Sequence, residues 1–202
     1  MSTWWARARA NRLFRLGLIL AAVVVVLDQL TKHWILYGVR LPTRYRIELS
    51  AIFDLTYVEN TGVSFGLFSG GTVSRVVLSV VSVVVAAYVV RWLGTLHRRV
   101  AAIGAGLIVG GALGNLYDRV LYGYVVDFLD FSGLGFPFVF NVADAAINVG
   151  VACLAWDAFV VAPKAAQGEG APKLTKSEDA APFQGGAPAG TSPDERVTKG
   201  QP

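Results

Sequence analysis

Acids and amides recur at short intervals in stretches of this sequence that are otherwise apolar. Asn115, Asp118 and Arg119 close one hydrophobic run at spacings of three and four, which sets them on one face of a helix. Asn141, Asp144 and Asn148 open the next run at the same spacings. Asp127 lies between them in Val125-Val126-Asp127-Phe128, and Asp28 and Lys32 form an i, i+4 pair late in the first run. Two carboxyl groups brought close together cannot both ionise cheaply. One proton is shared, leaving one group as general base and the other as general acid. Such a dyad activates water against a peptide carbonyl with no metal and no nucleophilic Ser or Cys. Asp127 and Asp144 are the favoured pair, because each is embedded in apolar sequence. Asp118 is a rival, though Arg119 beside it could keep it ionised and structural, and Asp130 is a weaker one.

The surroundings of these groups are those of a membrane protein. The chain has 202 residues, of which 54% are hydrophobic and 16% charged, against about 25% charged in an average soluble chain. Four apolar runs stand out, at Leu16–Tyr37, Val76–Val90 (extending to Leu93), Val100–Tyr117 and Val142–Ala162. Each approaches the roughly 20 residues that cross a bilayer. A charged side chain at the bilayer centre costs about 2.5–3.5 kcal/mol on insertion scales, so acids within or beside such runs are functional candidates by default. Here they gather at one end of the spans.

Orientation follows from arginine. Arg7, Arg9, Arg12 and Arg15 precede the first run, and Arg91, Arg98 and Arg99 lie between the second and third, which places both segments in the cytoplasm. An even number of spans returns the C-terminus there. Residues 38–72 and 118–140 are then external, with Arg40, Arg44 and Arg46 as exceptions that a folded external element tolerates. Arg44–Leu49 and Phe53–Val58 read as short strands, punctuated afterwards by Gly62, Gly66, Gly70 and Gly71. The second external segment is short, apolar and rich in Gly and Phe. The expected organisation is a cytoplasmic N-terminus over 1–15, a four-helix transmembrane domain over 16–162 and a disordered cytoplasmic tail over 163–202, rich in Pro, Gly, Ala and Lys. A cleavable signal is disfavoured, because Asp28-Gln29-Leu30-Thr31-Lys32 follows the first apolar core where small residues would mark a cleavage site.

Several function classes are excluded or weakened. The net charge of +4 comes from residues flanking spans rather than from a stripe on a soluble face, which argues against nucleic-acid binding. One cysteine, Cys153, and two histidines, His33 and His97, support neither a disulfide framework nor a zinc site. A transporter would carry polar groups through the membrane depth, often in repeated halves, and no repeat is present. A structural subunit would bind a partner through the small residues of the third run, where Gly106, Gly110 and Gly114 recur every fourth position with Ala105 and Gly111 beside them. Those glycines read as a packing face. A serine-type intramembrane protease lacks a Ser partner for its histidines.

Five segments, in order, resemble the signature blocks of lipoprotein signal peptidase (signal peptidase II). They are Asp28-Gln29-Leu30-Thr31-Lys32, Asn60-Thr61-Gly62-Val63-Ser64-Phe65-Gly66, Gly110 through Arg119, Val125-Val126-Asp127-Phe128, and Phe140-Asn141-Val142-Ala143-Asp144-Ala145-Ala146-Ile147. The resemblance implies an all-α membrane protein of four transmembrane helices, with a small external β-cradle between the first and second, over about 38–72. It implies a cofactor-free enzyme of the bacterial inner membrane, acting as a monomer on prolipoproteins whose cysteine already carries diacylglyceryl, with membrane lipid as its other partner. The catalytic aspartates fall on Asp127 and Asp144. Asp28, Lys32, Asn60, Gly62, Asn115, Arg119 and Asn141 fall on substrate-binding or supporting positions. Ser64 stands where Ala is common in the family, and the tail has no counterpart in the family pattern.

Other readings of the same residues stay open at this stage. Asp28 and Lys32 could be a salt bridge at a span end, and Asn60 with Gly62 only a turn, since both residue types favour positive φ. Asn115 and Asn148 could be interhelical hydrogen-bonding glue and Arg119 a snorkelling anchor. Trp4, Trp5, Trp34 and Trp92 near the span ends read as interfacial anchors, and Cys153 as packing.

Overall fold

The computed structural model describes residues 2–62 and 71–161. Ser64, Gly66, Gly70 and the 163–202 tail, on which expectations fell, lie outside them. A short helix α1 (Ser2–Ala10) leads into α2 (Arg12–His33), which continues as a wider π-helical turn to Gly38. A one-turn helix α3 (Leu41–Arg44) precedes strands β1 (Arg46–Glu48) and β2 (Asp54–Asn60). Helices α4 (Thr72–Leu93) and α5 (Arg99–Leu121) follow, then β3 (Val125–Asp130) and β4 (Val139–Phe140), and finally α6 (Val142–Trp156) with its continuation to Val161. Among the described residues, four helices are long and apolar enough to cross a membrane, at Arg12–Gly38, Thr72–Leu93, Arg99–Leu121 and Val142–Val160. They coincide with the four apolar runs. The first begins earlier than expected because Asn11 caps it, its side chain accepting a hydrogen bond from the Leu13 N–H at 2.9 Å and starting the helix ahead of Arg12 and Arg15.

Helix α5 is the centre of the bundle. Two-thirds of its apolar window (67%) is buried, against 28%, 17% and 22% for the other three spans. Its glycines explain how. A Cβ on Gly106 would stand 2.5 Å from the Gly17 carbonyl oxygen, and one on Gly110 2.7 Å from that of Ala21, so the stripe at spacing four seats α2 backbone to backbone. Gly104, against the Gly150 carbonyl at 2.7 Å, and Gly111, against Ala143, do the same for α6. The packing-face reading holds, and α5 has two such faces. Outward, Val80, Val84 and Tyr88 on α4 are 55%, 61% and 70% exposed, the composition of a surface whose solvent is hydrocarbon.

The four strands form one antiparallel sheet in the order β1-β2-β3-β4. This corrects the expectation that the cradle is built between the first and second spans alone, since two of its strands come from the connection between the third and fourth. The reason lies in burial. Val125, Val126, Asp127 and Phe128 are all covered, so β3 shows no alternation of polar and apolar residues from which a strand could be read. A bulge between Leu55 and Val58 shifts the β2–β3 register, after which Val58 faces Asp127 and Asn60 faces Val125. Beneath the sheet, Ile35, Leu41, Leu55, Val126 and Phe128 form an apolar cluster that fastens it to the end of α2.

Candidate active site

The polar residues singled out in the sequence converge at the sheet-side end of α2, α5 and α6, in two adjoining groups. The first is a sealed ionic knot. Lys32, on the last turn of α2, is 1% exposed, and its Nζ lies 2.8 Å from Asp28 Oδ2 and 2.8 Å from Asp118 Oδ2. Each carboxylate oxygen has a partner: Asp28 Oδ1 accepts from the Ala143 N–H at the start of α6, and Asp118 Oδ2 from the Val126 N–H in β3, at 3.0 and 3.1 Å. Gln29 donates to Asp28, to Asp118 and to the Gly114 carbonyl. A charge this deep persists only when paired and hydrogen-bonded, and here one ammonium serves two carboxylates while backbone amides supply the rest. The knot ties α2, α5, α6 and β3 together, and Gly114 leaves it room: a Cβ there would meet Asp28 Oδ2 at 2.7 Å.

The second group is Asp127 and Asp144, joined through asparagines. Asn141 follows β4 and caps α6, its Oδ1 accepting from the Asp144 N–H at 2.9 Å, which fixes Asp144 in the first helical turn. The Asn141 Nδ2 donates to Asp127 Oδ1 at 2.6 Å and to Asn115 Oδ1 at 3.1 Å. Asn115 Nδ2 in turn donates to Asp144 Oδ1 at 2.7 Å, and Lys32 Nζ closes on Asn115 Oδ1 at 3.3 Å. Asn60 Nδ2 donates to the other oxygen of Asp127 at 2.9 Å. Its own Oδ1 accepts from the Gly62 N–H at 2.9 Å, and Gly62 has φ +81°, so the Asn60–Gly62 turn exists and also aims the amide at Asp127. Arg119 bonds the Asn115 carbonyl at 3.4 Å and lies within electrostatic reach of Asp144, Asp118 and Asp127.

Among the described residues, no cation bonds Asp127 or Asp144 directly; their partners are amides and a backbone N–H. Asp127 is 1% exposed, and burial first, then the charge of Asp144, push its carboxyl up from 3.8 to about 6, although Asn60, Asn141 and Lys32 pull the other way. Asp127 therefore keeps its proton up to about pH 6, beside a second carboxyl reached through Asn141 and Asn115. Asp144 is less covered than Asp127 and opens onto a groove of about 550 Å³ walled by Phe131, Leu134, Phe136, Phe138, Phe140, Ile147 and Asn148. One carboxyl is thus sealed and the other borders an apolar channel, an arrangement suited to handling a proton beside an extended, greasy chain.

Geometry separates the rivals. Asp118 belongs to the knot, neutralised by Lys32. Asp130 is turned away at the far end of β3, accepting from the Thr56 hydroxyl at 2.6 Å, which holds its carboxyl below the usual range. Asn148 is exposed on the groove wall and does not glue helices. Sequence reasoning passed over Gln29 as a group of interest, and it could not name the phenylalanine wall. For the former, its position between Asp28 and Lys32 was the available signal. For the latter, the Phe-rich composition of the second external segment was.

Similarity to known proteins agrees with this geometry. Residues 20–160 match the family model described as signal peptidase (SPase) II. The chain is 47% identical over 142 residues to a lipoprotein signal peptidase of Caulobacter vibrioides, covering 70% of this chain and 84% of that one. It is 41% identical over 157 residues to that of Rhodopseudomonas palustris, covering 75% and 96%. Among solved structures, a bacterial membrane enzyme determined by the in meso method at 1.9 Å resolution superposes with a TM-score of 0.63 at 27% identity, over 72% of this chain and 93% of its own. With four bilayer-length helices, and a matching model that spans all four, the chain belongs to the signal peptidase II family of peptidases.

Proposed function

We propose that the protein is an aspartyl endopeptidase that removes signal peptides from diacylglyceryl-modified prolipoproteins, cleaving N-terminal to the lipidated Cys, with water activated by Asp127 and Asp144. The observation that carries this reading is the amide-linked carboxyl pair. One acid is buried and raised to about 6, its partner borders an apolar groove, and no cation among the described residues is bonded to either.

In this mechanism the substrate's signal helix lies beside the spans with its lipid chains in the bilayer. Burial favours the proton on Asp127, beside the second carboxyl of Asp144 at the groove. The ionised member takes a proton from water as it attacks the scissile carbonyl, and the protonated member delivers one to the developing oxyanion or leaving amine. Asn115 and Asn141 hold the pair in register, Asn60 fixes the outer oxygen of Asp127, and Arg119 balances charge. The Asp28–Lys32 knot supports the site without touching the reacting atoms. The enzyme sits in the bacterial inner membrane with both termini in the cytoplasm, so that the carboxyl pair faces outward. It needs no cofactor and works as a monomer.

The test is cleavage of a purified prolipoprotein with and without diacylglycerylation, followed by mobility on a gel. The lipid-modified form is cut and the unmodified form is not. Asp127→Asn and Asp144→Asn each abolish cleavage while leaving the protein inserted. Turnover retained in either variant removes that residue from the mechanism.

A further inference from the structure

The first turn of α4 carries a buried hydroxyl that the peptidase mechanism above does not use. Ser74, the third residue of the helix, is 3% exposed. A serine inside a helix commonly bonds its own backbone, as Ser82 does by donating to the Leu78 carbonyl at 3.0 Å. The Ser74 hydroxyl reaches away from its helix and donates to the Thr61 carbonyl at 3.2 Å. Leu78, one helical turn further on, covers the same stretch of chain. A Cβ on Gly62 would run into its Cδ1 and would stand 3.6 Å from Ser74 Oγ.

The start of α4 is itself held in place. Arg75 Nη2 donates to the Val120 carbonyl at 2.7 Å, one of the unpaired acceptors in the last turn of α5, next to Arg119. Ser74 therefore stands at a point fixed on the helix that carries Asn115.

What Ser74 grips is one end of a rigid unit. The Thr61 carbonyl and the Gly62 N–H belong to the same peptide plane and point in opposite directions. That N–H donates to Asn60 Oδ1 at 2.9 Å, and Asn60 Nδ2 donates to Asp127 Oδ2 at 2.9 Å. The hydroxyl, the peptide and the amide thus form one line of donors running toward the carboxyl. Each bond in such a line polarises the next and strengthens it. Thr61 and Gly62 lie at the surface, where water would otherwise take this carbonyl and leave the plane unfixed.

We propose that Ser74 is a positioning residue for the carboxyl pair, holding the Thr61–Gly62 peptide so that the Asn60 amide stays aimed at Asp127. The inference rests on the assignment of Asp127 to the reaction. It adds a residue from α4 that lies in none of the five signature segments.

The experiment compares full-length variants in detergent by the pH profile of kcat/KM for prolipoprotein cleavage. Asn60 favours the ionised form of Asp127, so weakening its bond moves the decline to higher pH. Ser74→Ala moves it by roughly half a unit. Ser74→Thr, which keeps the hydroxyl, retains the wild-type profile, and so does Ser82→Ala. In an Asn60→Ala background, Ser74→Ala adds no further displacement, because the line is already cut. Lys32 on α2, Arg119 on α5 and Asp144 on α6, the charged groups whose fields reach Asp127, are unchanged in every variant. Should Ser74→Ala melt early, Ser74→Thr against Ser74→Val makes the same test at nearly constant volume. A Ser74→Ala profile identical to wild type, or an equal displacement with and without Asn60, overturns the inference. Turnover retained by Asp127→Asn overturns the underlying assignment as well. Turnover lost there, with an unmoved Ser74→Ala profile, overturns the positioning role alone.

Discussion

Two groups of aspartates lie side by side at one end of this bundle, and they have opposite characters. Asp28 and Asp118 are both 0% exposed, and both share the Lys32 ammonium. Asp127 is equally buried, at 1%, yet among the described residues its nearest partners are the neutral amides of Asn60 and Asn141, and those of Asp144 are the Asn115 amide and a backbone N–H. Burial therefore does not decide whether a carboxyl is structural or reactive; the charge of its partners does. A carboxylate that shares an ammonium has its charge met in the ground state, whereas one held by amides keeps its direction and its appetite for a proton.

The largest effect expected from this contrast is on turnover. Asp127→Asn or Asp144→Asn lowers cleavage by about 10²–10⁴-fold or more, because a positioned acid or base contributes that much, while the melting temperature stays near wild type. A large loss of stability in either variant would merge the two groups and break the distinction. Next in size, Lys32→Met strands two buried carboxylates and costs about 3–5 kcal/mol, read as a collapse of the melting temperature in detergent. Adding Asp28→Asn and Asp118→Asn to it recovers part of that loss, since removing the whole charge set is cheaper than removing one partner.

A smaller effect is on pH dependence. The Asp127–Asp144 pair works with one proton, and the second leaves near the raised value of about 6, so kcat/KM of the free enzyme declines as pH rises through that region. Asn60 donates to the ionised form of Asp127 and thereby lowers its pKa. Asn60→Ala must then move the decline to higher pH, by roughly one to two units if the bond is a typical one to a charged group. A shift in the other direction would place Asn60 in a different role. The same raised value has a stability consequence. Between 3.8 and about 6 the folded state binds the extra proton, so stability falls as pH rises through that window and levels off above it. Smallest is packing at the far side of the knot: Gly106→Ala forces a methyl within 2.5 Å of the Gly17 carbonyl oxygen and costs about 1–3 kcal/mol, seen in thermal melting.

Much of this architecture was legible along the chain. The four spans could be read from hydropathy, and the convergence of Asn115, Asp127, Asn141 and Asp144 from helical spacing together with the cost of charge in lipid. Less could be read where a residue's meaning depended on what lay across from it. Asp118 and Asp127 both sit in apolar company in the sequence, and only the position of Lys32 Nζ, 2.8 Å from one of them, tells them apart. Strand β3 carries no alternation, because both its faces are covered, so the cradle's second half stayed hidden.

By itself, then, the sequence determined which segments enter the membrane, at which end polar groups collect and which helix face is smooth enough to be packed upon. These are properties of composition and of the 3.6-residue period, and a chain cannot conceal them. The tertiary structure alone decided which acids are neutralised and which are left with amides. It also decided that β3 pairs with β2, and that phenylalanines from the second connection wall the groove beside Asp144. Charge compensation acts over a few ångströms between residues far apart in the chain, such as Lys32 on α2 and Asp118 on α5, and such distances exist only once the helices have packed.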